Sequence, residues 1–133
     1  MTRQADAVRS FYAEIWERGE LFRIPALLHE GFTFRGSLGS VLTGHAAFAN
    51  YVRQVTGALA EYRCEILDLV EEGPRLAARM RFGGTHRGPL LGMPATGRAV
   101  AWDGAAFFTF EGDRMRDLWV LGDVHGLLGQ LRA

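Results

Sequence analysis

Between Tyr62 and Asp123 the chain carries four strand-like stretches separated by turn signals, and that run limits the possible folds more than any other feature. In YRCEILDLVEEG, Cys64, Ile66 and Asp68 share one parity while Glu65, Leu67 and Leu69 share the other. In RLAARMRFGGTH, Leu76, Ala78, Met80 and Phe82 alternate with Arg79 and Arg81. AVAWDGAAFFTF and, past the turn signal EGDR, MRDLWVLGD complete the set. Successive strands of this kind suit hairpins and so antiparallel pairing. The residues ahead of them read differently. Ala7, Val8, Phe11, Tyr12, Ile15 and Trp16 recur at three and four, which predicts a helix over residues 3–18 that Gly19 stops. FRIPALLHE predicts a short second helix with Pro25 in its first turn, and GFTFRG a short strand. Phe48, Val52, Val55 and Leu59 predict a third helix over residues 44–59, and VHGLLGQL a short closing one. Three N-terminal helices packed in a curved antiparallel sheet, with a short C-terminal helix, make an α+β fold.

A length of 133 residues is expected to give one domain, 1–133, that buries about two-thirds of its unfolded surface. The last strands are apolar on both faces, with Val100, Trp102, Ala106 and Phe108 on one and Ala101, Ala105 and Phe107 on the other. Helices can cover only the concave face, so the outer one is expected to meet a second subunit. Fifteen basic and fifteen acidic side chains cancel, leaving no electrostatic footprint for nucleic acid or anionic lipid. No apolar run approaches a membrane span, MTRQADAVRS lacks a secretory signal's apolar core, and Cys64 has no disulfide partner. A reduced, cytoplasmic protein is the expectation, with Cys64 as a small buried hydrophobe.

GMPATGR, residues 92–98, nearly spells a phosphate-binding loop. That loop needs a Lys and then a Ser or Thr after its second Gly, opening a helix; Arg98 and Ala99 stand there instead, and a strand follows. The segment bends one strand back on another.

GTHRG, the hairpin loop LLGMPATGR and the ending DLWVLGDVHGLLGQL, in which Trp119 stands four residues before Asp123, resemble the SnoaL-like polyketide cyclases, or ester cyclases. The likeness covers residues 82–131 clearly, and the helix order of residues 3–70 loosely. It implies the NTF2-like cone shared with ketosteroid isomerase and limonene epoxide hydrolase, a deep cavity between helices and sheet, and homodimers through the sheet faces. It further implies cofactor-free intramolecular aldol closure, with Asp123 as acid and base. Near Thr109 such cyclases carry an imidazole that pairs with the catalytic carboxylate; Thr109 is shorter and uncharged, so that partner is missing or comes from elsewhere.

The residues themselves offer two roles for Asp123. A carbon acid between two carbonyls yields its proton to one carboxylate whose pKa an apolar pocket has raised, and Asp123 shares parity with Trp119 and Leu121. An Asp ahead of VHGLL is equally a helix cap, and amide donors lower a carboxyl pKa. His86 ends the parity run of Met80 and Phe82, which makes it a candidate to polarise a carbonyl or to position Asp123, set against a structural hydrogen bond at a loop edge. Trp102, Trp119, Phe34, Phe108 and Trp16, with Thr109, are candidates to line a pocket for an apolar or aromatic small molecule, and the same rings serve equally as core. Asp103 and Asp117 are expected to form ion pairs with Arg79 or Arg81. An epoxide hydrolase would need Asp123, an Arg and Asp103 to converge; an isomerase would need an acidic donor, for which Tyr51 and Tyr62 show no particular claim. A ligand-binding module without chemistry is the other alternative. His29, His45, His86 and His125 lack metal-ligand spacing, so no metal is expected.

Overall fold

The computed structural model describes residues 2–133. Helix α1 spans Arg3–Ser10, with the Thr2 side chain accepting from the Ala5 amide, and it runs on without a break as a π-helix over Phe11–Glu17. The reason lies in the sequence. The apolar pairs Ala7-Val8, Phe11-Tyr12 and Ile15-Trp16 repeat every four residues, slower than the α-helical period of about 3.6, and the wider π turn keeps the later pairs on one buried face.

The second helix is shorter than its sequence suggests. A 3₁₀ turn, Leu21–Arg23, leads into α2, Ile24–Leu27, and the chain extends into β1, Leu28–Arg35, three residues early, because alternation over Leu28, Phe32 and Phe34 outweighs a frayed helical turn. A short strand that the sequence reading lacks, β2, Val41–Thr43, folds back on β1. Then come α3, His45–Ala58; β3, Leu59–Glu72; β4, Arg75–His86; β5, Ala99–Glu111; β6, Arg114–Gly122; and α4, Val124–Arg132.

The six strands form one sheet in the order β2-β1-β6-β5-β4-β3. Hairpins join β3 to β6 in sequence, so those pairs are antiparallel as expected. The sheet is nevertheless mixed, since β1 runs parallel to β6. Most of the chain separates those two strands, and no tight turn dictates their relative direction. Phe32, Phe34, Leu76, Met80, Phe82, Phe108 and Leu118 turn inward to meet Phe11, Ile15, Phe48, Val52, Leu127 and Leu131 from the helices. Arg79, Arg81, Asp103, Phe107, Trp119 and Leu121 occupy the opposite, exposed parity. No helix among the described residues is long and apolar enough to cross a membrane.

Candidate functional site

An apolar cleft lies between the helices and the inward face of the sheet. Phe34, Tyr51 and Trp16 line it together with Tyr62, Phe82 and Trp102, and Tyr12 adds a phenol. Tyr62 stacks on Phe82 with ring planes 8° apart, and Phe82 meets Trp102 at 5.8 Å between centroids. Trp16 stands edge-on to Tyr51 at 6.0 Å, and Phe34 lies 5.0 Å from Tyr51. The cleft volume is about 620 Å³ counted out into the opening, within the range of small-molecule sites. No charged side chain lines it.

Gly36, Ser37 and Leu38 border the cleft, the last of them exposed. Two bare backbone positions let this region close up. A Cβ on Gly122 would meet Ser37 Oγ at 2.8 Å and Trp102 Nε1 at 3.1 Å, and one on Gly36 would meet Tyr51 Oη at 2.8 Å. Neither glycine stood out in the sequence, because close approach is a tertiary property.

The polar groups are phenols. Burial pushes the Tyr12 and Tyr62 hydroxyls well above their ordinary pKa of 10, and that of Tyr51 up to about 12, so all three are neutral donors near neutral pH. The Tyr62 hydroxyl and the Cys64 thiol are neighbours, and each affects the other's ionisation. Burial, then the Glu17 carboxylate, pushes the Cys64 thiol up, which leaves it an inert, buried free thiol. Tyr12 Oη is buried without a hydrogen-bond partner among the described residues.

Three of the six expected lining residues, Trp16, Phe34 and Trp102, meet in this cleft. Phe108 does not line it: the ring is packed edge-on to Phe11 and Tyr12 within the core. Trp119 and Thr109 have the other parity and lie on the outer face, Trp119 against Phe107 at 5.8 Å and Thr109 opposite Asp117. Thr109 is far from Asp123, whose amide donates to the Asp103 carbonyl at the other end of β5.

Asp123 is exposed, and its Oδ1 accepts from the Gly126 amide at 2.8 Å, capping α4. The apolar setting expected from Trp119 and Leu121 is absent, because that parity is the solvent side. Its chain neighbours nonetheless frame the cleft: Val124 lines it and Gly122 abuts Trp102 and Ser37. His86 is fully buried and has the inward parity, but it does not line the cleft. Its Nδ1 accepts from the Thr96 amide at 3.2 Å and lies 3.0 Å from Thr96 Oγ1, which ties down the 87–98 loop and leaves the ring proton on Nε2.

Asp103 pairs with Arg81 at 3.1 Å as expected, and its carbonyl accepts from the Asp123 amide at 2.9 Å, so these three residues are neighbours, but none of them lines the cleft. Asp117 accepts instead from the Thr33 hydroxyl, its neighbour on the parallel strand. Among the described residues no three His, Cys, Asp or Glu side chains come close enough to hold a metal ion.

The sequence from residue 6 to residue 131 matches the family model described as SnoaL-like polyketide cyclase. Aklanonic acid methyl ester cyclase DnrD of Streptomyces peucetius is 30% identical over 120 residues, which cover 88% of this chain and 82% of that protein. A SnoaL-like polyketide cyclase from Agrobacterium tumefaciens superposes with a TM-score of 0.81 at 21% identity, covering 98% of this chain and 99% of the other. A protein of ketosteroid isomerase-like fold from Catenulispora acidiphila does so with a TM-score of 0.82 at 14% identity, over 96% and 92% of the two chains. With the family model matched over residues 6–131, nearly its whole length, and a relative 30% identical over 88% of it, the chain belongs to the SnoaL-like polyketide cyclases.

Proposed function

We propose that the protein is a cofactor-free cyclase that closes a ring in a polyketide ester by intramolecular aldol addition, with Asp123 as acid and base. The observation that carries this reading is the uncharged aromatic slot with Asp123 beside its border, between Gly122 and Val124. Trp16, Phe34, Tyr62 and Trp102 hold the ring system by stacking and apolar burial. The Asp123 carboxylate takes the proton from a carbon flanked by two carbonyls; that carbon attacks a carbonyl of the same molecule, and the new alkoxide takes the proton back from the carboxyl. No atoms are gained or lost. The Gly126 amide holds Oδ1 at 2.8 Å, and in this reading Oδ2 is the oxygen that exchanges the proton.

The second reading is a binding protein without chemistry, and the exposure of Asp123 together with its capping bond favours it. Incubation with a polyketide methyl ester such as that of aklanonic acid separates the two. Ring closure predicts a new product of unchanged mass, formed faster than in buffer; binding without conversion would support the second reading.

The assembly proposed with this function is a homodimer through the outer sheet face, in which a second copy covers the row Val70, Ala77, Phe107 and Trp119 that the strand register lines up across four strands. Phe107, Trp119 and Leu121 are 44%, 39% and 52% exposed, a large apolar area for one chain to leave in water. Arg81 and Asp103 flank that row, giving an apolar centre with a charged rim.

A further inference from the structure

Tyr12 contains the one hydroxyl of the cleft wall that is buried and unpartnered among the described residues. Its ring packs edge-on to Phe11 at 5.0 Å and Phe108 at 6.1 Å, and lies 6.4 Å from Phe82. A phenylalanine would make the same contacts, so packing gives no reason for the oxygen. An unmet buried hydroxyl costs stability. The Tyr62 hydroxyl is not among the buried, unpartnered atoms. The cleft is the free space that Tyr12 borders, and a bound molecule there would bring the missing acceptor.

We propose that Tyr12 is a specificity-determining residue: its Oη donates a hydrogen bond to a carbonyl or phenol oxygen on the buried edge of a flat ring ligand. The ligand class follows. It is a planar ring system that enters oxygen-bearing edge first and leaves its other end beside Ser37, Val124 and Asp123. A ring without that oxygen leaves the hydroxyl unpaired and is rejected, which a purely apolar slot cannot achieve. The proposal rests on the cleft being the substrate site, and not on any step of ring closure.

The test compares 9-fluorenone with fluorene, which share a skeleton and differ by the carbonyl oxygen, through quenching of the fluorescence of Trp16 and Trp102. Two proteins and two ligands form a cycle in which the intrinsic difference between the probes cancels. The preference for fluorenone is expected to be about five- to tenfold greater in the wild type than in Tyr12→Phe, the size of one neutral hydrogen bond. Tyr12→Met is expected to lose the preference as Tyr12→Phe does. An equal preference in wild type and Tyr12→Phe overturns the assignment and leaves the cyclase reading standing. Failure of both probes to bind removes the assignment together with the cleft as a ligand site. Binding of the expected pattern without turnover of any ester keeps the assignment and removes the cyclase.

Discussion

The helix cap that Asp123 makes and the acid and base role proposed for it can be separated by substitution. Asparagine caps a helix as well as aspartate does, whereas alanine leaves the Gly126 amide without its acceptor. Asp123→Ala is therefore expected to cost about 1 kcal/mol and to lower the Tm by roughly 2–5 °C, with Asp123→Asn close to wild type in thermal denaturation. Tyr12→Phe is expected to do the opposite, holding or raising the Tm by a few degrees, because it removes a buried hydroxyl that has no partner. A clear fall in Tm would mean that the hydroxyl is already satisfied within the protein. The cap was legible in the sequence because capping is local. The side on which Asp123 lies was not: parity shows that it shares a face with Trp119 and Leu121, and only the packed sheet shows that this face looks outward.

At the scale of elements, the π segment of the first helix sets the site, since it carries both Tyr12 and Trp16 to the cleft. Its exposed side is tied to the following 3₁₀ turn by Glu14, which accepts from Arg23 Nε at 2.6 Å. That bond holds the Glu14 carboxyl below its ordinary value of 4.5, against the smaller opposing effect of burial. A folded-state value below the unfolded one gives stability that is present in full above about pH 4.5 and is lost as the pH falls through the lowered value. Between pH 5 and pH 3 the Tm of the wild type should fall further than that of Glu14→Gln; parallel curves would count against the bond. The helices over residues 3–17 and 45–58 and the four long strands were legible from periodicity, which depends on neighbours in sequence. Strand β2, the early start of β1 and its parallel pairing with β6 were not, because each depends on a partner that the sequence does not mark. The four-residue repeat in the first helix did hint at a wider turn.

For the whole molecule, the proposed dimer rests on the outer face. Trp119→Asp places a carboxylate in the centre of the apolar row, so light scattering should record a fall from twice the chain mass to once. A wild type that is monomeric at micromolar concentration would contradict the proposed dimer. Inside, the proposed reading assigns binding to the uncharged cleft and chemistry to one exposed carboxylate, Asp123. The direct measurement is steady-state ring closure of a polyketide methyl ester by wild type and Asp123→Asn, with the two proteins matched in Tm. The predicted result is a kcat about 100-fold lower or more in the variant, with KM within about twofold. Equal kcat values would contradict Asp123 as the acid and base.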